Sequence, residues 1–133
     1  MNRKIKFRAW DNVNNQMLDV QELNFEDCFY GGYTTVRTTM YSDYFDIREI
    51  PIMQYTGLHD KNGKEIYEGD IVRIIVNNNI EKICKVEFKN GIFGVMFSKN
   101  KDLTAFPHFC NTTFEIIGNI YDNPELLGGE DEC

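Results

Sequence analysis

The sequence predicts a small, mainly β-structured domain with little helix, and three observations carry that prediction. Apolar and charged residues alternate with a period of two near both ends of the chain and through its second half, the pattern of strands that bury one face. Two Asn-Gly pairs, Asn62-Gly63 and Asn90-Gly91, stand between apolar runs. Asn-Gly is the strongest short hairpin signal, because a two-residue loop needs positive φ at both positions. Short strands of about five to seven residues follow one another between residues 65 and 121, joined by short turns, and the ten Phe and seven Tyr in 133 residues make disorder along the whole length unexpected.

Residues 4–10 read as the first strand, with Ile5, Phe7 and Ala9 on one face and Lys4, Lys6, Arg8 and Trp10 on the other. The polar run 11–16 supplies turn formers, and residues 17–20 return as the partner strand of a hairpin. From 21 to 50 no period of two or of 3.6 is sustained. Within that stretch, 22–29 is compatible with a helical turn or two, and 33–41, rich in Thr and Tyr, favours strand.

The second half is clearer. Residues 55–58 and 65–67 flank the first Asn-Gly turn, Glu68 and Gly69 form a corner, and Val72, Ile74 and Val76 share one face of the next strand with Arg73 opposite. The second Asn-Gly turn predicts a register: Phe88 opposite Phe93, Val86 opposite Val95 and Cys84 opposite Phe97, all on one face. Phe114, Ile116, Gly118 and Ile120 alternate with their neighbours, and Gly118 suits a bent barrel corner. Asn123 before Pro124 reads as the cap of a short helix ended by Gly128 and Gly129. Five short strands between about residues 65 and 121 predict a small SH3-like barrel, extended or covered by the N-terminal hairpin. No Pro/Ser-rich linker divides the chain, so one domain is expected over 1–129, with 130–133 a disordered acidic tail.

Composition narrows the function classes. The N-terminus alternates charged and apolar residues instead of carrying an apolar leader, and no apolar stretch approaches the ~20 residues that cross a bilayer. A soluble cytoplasmic protein is expected, with no membrane partner. Cys28, Cys84, Cys110 and Cys133 are far apart in sequence, which favours free thiols in a reducing compartment over a zinc site completed by His59 and His108. No cofactor is implied.

Three stretches carry a family resemblance. The run from Met53 through Gln54, Tyr55, Thr56, Gly57, Leu58, His59, Asp60, Lys61, Asn62, Gly63, Lys64, Glu65, Ile66, Tyr67, Glu68, Gly69, Asp70 and Ile71 to Val72 resembles the central signature of the YopX family. The opening Ile5, Lys6, Phe7, Arg8, Ala9, Trp10, Asp11 and the closing 115–127 resemble the two ends of the same family, in the same order. The departure is His59, where family members more often carry Lys. The resemblance implies a small phage or prophage protein and names no reaction. Turn chemistry explains most of the signature: Asn62-Gly63 turns the chain, Gly57 and Gly69 relax the backbone, and Asp70 accepts hydrogen bonds from turn amides.

No catalytic residues are assigned. His59-Asp60 is a lone pair at a hairpin and lacks a placed nucleophile, and the motifs of the common hydrolases, P-loops and dinucleotide sites are missing. Asp43, Asp46 and Glu49 lie in an irregular stretch where acids are ordinarily solvated, so no metal site is assigned. Single-stranded nucleic-acid binding is the alternative reading: Lys4, Lys6, Arg8 and Trp10 on one strand face would offer charge and a stacking ring. The net charge of -7 weighs against it. The favoured expectation is a non-enzymatic interaction module that binds protein partners or its own copies, using its rings and unclosed strand edges such as residues 4–10.

Overall fold

The computed structural model describes residues 4–76, 80–96, 103–105 and 112–127. They form eleven strands, every pair of them antiparallel, and two single-turn 3₁₀ segments, so the mainly β expectation holds. The chain packs as two compact units, Met1–Gln54 and Tyr55–Cys133, and the division falls inside one strand.

In the first unit the strands are β1 (Phe7–Asp11), β2 (Gln16–Asp27), β3 (Tyr33–Thr38), β4 (Tyr44–Asp46) and the start of β5 (Ile52–His59), in the order β4-β3-β2-β1-β5. The expected β1–β2 hairpin is present, with Ala9 opposite Leu18 and Trp10 opposite Met17. Asp11 holds its turn by accepting from the amides of Val13 at 3.0 Å and Asn14 at 3.3 Å. Ala9, Val36 and Ile50 form the core, with Val20, Leu23, Phe45, Ile47 and Ile52 packed on it.

Two expectations fail in this unit. β1 is not an unclosed edge: β2 pairs on one side and β5 on the other, with Arg8 opposite Met53 and Ala9 opposite Ile52. With both edges paired β1 is an inner strand, and Ala9 and Trp10 are both buried, so Trp10 does not stand at the end of an exposed stripe. Nor is the 22–29 stretch helical throughout: residues 22–27 are strand, and only Cys28 and Phe29 lie in a turn, the 3₁₀ segment Cys28–Tyr30. Residues 22–27 stay extended because β3 supplies partners, Leu23 opposite Val36 and Asn24 opposite Thr35, and pairing across strands outweighs a blurred local pattern.

The second unit contains the end of β5, β6 (Glu65–Tyr67) and a sheet ordered β10-β9-β8-β7-β11, formed by β7 (Asp70–Val76), β8 (Ile80–Lys89), β9 (Ile92–Met96), β10 (Leu103–Ala105) and β11 (Thr112–Asn119). Its core gathers Ile66, Val72, Ile74, Cys84, Val86 and Val95 under Phe93, Phe114 and Ile116. The second Asn-Gly turn forms as predicted: Asn90 and Gly91 take φ 56° and 83°, Phe88 faces Phe93 and Val86 faces Val95. The predicted Cys84–Phe97 rung, the side chain of Val76, Gly128 and Gly129, and the 130–133 tail lie outside the described residues.

Among the described residues of 65–121 no closed barrel forms. Closure requires the outer strands to pair, and among the described residues β10 and β11 do not. At β11 the loop after β5 takes the groups such pairing would use: the amide of Lys61 donates to the carbonyl of Phe114 at 2.8 Å, and the amide of Ile116 donates to the Asp60 carboxylate at 3.1 Å. Gly118 is no barrel corner either. The β11 register shifts between Ile116 and Gly118, and a Cβ at Gly118 would lie 2.5 Å from Oδ1 of Asn123, whose side chain folds back onto the strand. The closing turn at Pro124–Leu127 is 3₁₀. No helix among the described residues is long and apolar enough to cross a membrane.

Candidate interaction site

A braced surface feature among the described residues is the knuckle joining β2 to β3, inside the stretch that was least legible in the sequence. The β2–β3 register shifts between Asn24 and Asp27, and Glu26 in that interval takes φ 55°. A non-glycine residue in the left-handed region costs roughly 1 kcal/mol and is worth explaining by function. A bulge of this kind re-aims the side chains beside it. Phe25 is 70% exposed and Phe29 92% exposed.

A buried carboxylate keeps this backbone in shape. Asp27 accepts from the amide of Phe29 at 3.0 Å, the hydroxyl of Thr35 at 2.9 Å and the side-chain amide of Asn24 at 3.1 Å. Its carbonyl accepts from the amide of Gly32 at 2.9 Å, which closes the loop over the 3₁₀ turn Cys28–Tyr30. Gly31 and Gly32 take φ 70° and 84°, conformations that side chains resist. At the entry to β3 the guanidinium of Arg48 lies 3.5 Å from the ring centre of Tyr33. Arg48 is itself fixed by a bidentate pair with Asp46, at 3.0 and 2.6 Å. That pair, with the Arg48 amide, holds the Asp46 carboxyl down to about 2. Phe25 at the end of β2 and Phe29 in the 3₁₀ turn are therefore exposed on a backbone braced through Asp27.

A groove of about 230 Å³ lies further back along the same strand, lined by Ile5, Lys6 and Phe7 ahead of and at the start of β1 and by residues 19–23 of β2. Lys6 and Arg8 are partly exposed, Lys4 is exposed and Trp10 is buried. The structure thus brings the cations of the predicted stripe near the surface without the stacking ring. Asp11, next to Trp10, is bound by Asn14, Val13 and Tyr41; burial works to raise its carboxyl, and these donors outweigh it and hold it down to about 2.

The remaining sequence candidates separate. His59 is exposed and meets the Tyr55 hydroxyl at 3.3–3.4 Å, while Asp60 faces away and spends its carboxylate on the amides of Asn62, Lys64 and Ile116. Burial opposes ionisation of Asp60, and those amides lower its carboxyl regardless. Asp46 is committed to Arg48, with Asp43 and Glu49 exposed. Cys28 is exposed on the knuckle, Cys84 is buried in the other unit's core, and Cys110, Cys133 and His108 lie outside the described residues. Among the described residues no three His, Cys, Asp or Glu side chains gather to hold a metal.

Sequence reasoning missed Phe25, Asp27 and Phe29. The signal was present in Asp27 followed by Gly31-Gly32, an acid that can cap a turn next to residues that can make one, flanked by Leu23 and Val36 as a strand pair.

Known proteins agree with the sequence resemblance. The family model for YopX protein matches residues 6–128. The SPbeta prophage-derived uncharacterized protein YopX of Bacillus subtilis (strain 168) is 31% identical over 134 residues, covering 92% of this chain and 96% of that one. The crystal structure of YopX from Bacillus subtilis superposes with a TM-score of 0.63 at 28% identity, over 92% of this chain and 97% of the other. Protein EF1440 from Enterococcus faecalis gives 0.60 at 26% identity, over 95% and 99%. With the match running from the first strand to the closing turn, this chain belongs to the YopX family.

Proposed function

We propose that the chain is a non-enzymatic accessory protein of phage or prophage origin that works by binding protein through the Phe25–Phe29 knuckle. One observation carries the reading: two phenylalanines stand 70% and 92% exposed on a backbone braced by the buried Asp27. Covering each ring in a partner is worth roughly 1.5–3 kcal/mol, and the braced loop loses little freedom on binding. Rings of this kind are the usual anchors of protein interfaces. Support for binding over catalysis comes from Asp60, the acid beside His59, whose carboxylate is already occupied by backbone amides. Support for protein over single-stranded nucleic acid comes from the burial of Trp10 and the net charge of -7.

The test uses wild-type protein and an F25S/F29S variant as immobilised baits, each exposed to bacterial host lysate supplemented with untagged copies of the chain. The expected result is a protein retained by the wild type and released by the variant, with unchanged circular dichroism. Equal retention by both baits, or capture of nucleic acid alone, overturns the reading.

A further inference from the structure

At the end of β2 away from the knuckle, a cavity of about 50 Å³ opens beside the β1–β2 turn. Its floor is the buried Trp10, Leu18 and Ile50, and Tyr41 and Phe45 stand partly exposed in its walls. Asn12, Val13 and Glu49 are exposed at its mouth, and the buried Asp11 completes the lining. We infer that this cavity binds the ammonium end of an unbranched alkylamine, the group carried by a lysine side chain and by free aliphatic amines. The inference goes beyond the reading of the knuckle and does not depend on it, since none of these residues belongs to the knuckle.

Charge is the first observation. Asp11 is a buried carboxylate whose partners are all neutral: the amides of Val13 and Asn14, the side-chain amides of Asn14 and Gln16, and the Tyr41 hydroxyl. Among the described residues no cation pairs with it, whereas a buried charge is ordinarily matched by an opposite one. Those donors keep the carboxylate ionised without cancelling its charge. Glu49 adds a second negative charge at the mouth; its neighbour Arg48 feels that charge but commits its guanidinium to Asp46 at 3.0 and 2.6 Å. No basic residue lines the cavity, so its field selects a cation.

The walls and the size decide which cation. A hard metal ion takes about six or more oxygen ligands, and here the lining is mostly rings and aliphatic side chains, with the Asp11 oxygens already engaged. Tyr41 and Phe45 meet edge to face with centres 5.9 Å apart, and Trp10 adds a third ring. Aromatic faces attract alkylammonium groups through the ring quadrupole while their carbon covers the methylenes. At the ~10–15 Å³ that one water-sized group needs, about 50 Å³ holds about three or four heavy atoms, an ammonium with its nearest methylenes. A quaternary ammonium or a nucleobase is larger than that.

Trp10 is the one tryptophan of the chain, so its fluorescence reports on the cavity. Titration of the full chain with n-butylamine at neutral pH is expected to give a saturable change in that emission, half-complete at roughly millimolar amine. The neutral counterpart n-butanol is expected to bind at least about tenfold more weakly. F45L removes a ring and keeps an apolar side chain, and should weaken the amine about three- to tenfold. E49Q removes the exposed charge and should weaken the amine about two- to fivefold while leaving butanol unaltered. D11N should cost the most; because Asp11 also holds the β1–β2 turn, circular dichroism decides whether its titration is read, and F45L and E49Q carry the test if it is unfolded. F25S/F29S should bind the amine as wild type does, which keeps this site separate from the knuckle. A lysine tripeptide capped at both ends and cadaverine distinguish the sources: tighter binding of the peptide assigns the cavity to a lysine of a protein partner, tighter binding of cadaverine to a free amine. No response to butylamine, equal binding of butanol, or unchanged amine affinity in both F45L and E49Q overturns the inference.

Discussion

The two Asn-Gly turns of the second unit have the same sequence signal and different physics. At Asn90-Gly91 both residues take positive φ, two residues join β8 to β9, and the pairing continues unbroken from Lys89–Ile92 to Lys85–Met96. At Asn62-Gly63 only the glycine does, with φ 81°. The loop there runs from Asp60 to Lys64, and its shape comes from a buried side chain: Asp60 accepts from Asn62 and Lys64 within the loop and from Ile116 on β11. The Asn90-Gly91 turn is a local device that sets register. The Asn62-Gly63 loop is a tertiary device that ties a hairpin to the outer side of a distant strand, and it lies in the family's central signature.

The largest expected effect separates them directly. Asp60→Ala leaves three amide donors without their acceptor, two in the loop and one on β11, and is expected to cost about 2–4 kcal/mol in urea unfolding. A loss below about 1 kcal/mol would mean that the loop is held by its backbone alone and would erase the contrast.

Acid should sharpen the same difference. Asp60, Asp11 and Asp46 all have folded carboxyls below the unfolded value of about 3.9, so the stability they contribute is fully present above that pH. It is lost as pH falls through the folded values, which for Asp11 and Asp46 means between about pH 4 and 2. Asp60→Asn should flatten this acid limb in a melting-temperature series, while Asn90→Ala should leave its slope intact. An unchanged slope in the Asp60→Asn protein would show that its carboxylate is not differentially stabilised on folding.

Alanine at either glycine meets open space, so only the φ cost remains: about 1 kcal/mol at Gly63 and the same at Gly91. Thermal denaturation giving clearly unequal losses would show that something besides backbone conformation is at work in one turn. The smallest effect is the most diagnostic. Asn90→Ala should cost about 0.5–1 kcal/mol because Asn tolerates the left-handed region better than Ala, and Asn62→Ala should be near neutral. Equal costs would imply that both turns are of the same kind after all.

These contrasts indicate how far the sequence could be read. The β8–β9 hairpin was legible down to its rungs, since Val86 opposite Val95 and Phe88 opposite Phe93 depend only on a two-residue loop and alternation. The β1–β2 hairpin was legible for the same reason, with Asp11 and the asparagines after it making the turn. The interaction site was not legible. Residues 22–27 have no period of their own, and their extended form rests on pairing with β3, so nothing local marked Phe25 at the strand end, or Phe29 in the 3₁₀ turn after it, as exposed.

By itself the sequence determined the β class, the local hairpins and the family, because alternation and turn residues act over a few positions and a twenty-residue signature needs no partner to be recognised. The tertiary structure alone decided that β1 is central and Trp10 buried, that Asp60 serves β11 instead of His59, and that two phenylalanines remain outside. Each of these depends on which strand lies alongside, a choice made by contacts between residues far apart in the chain that no local pattern encodes.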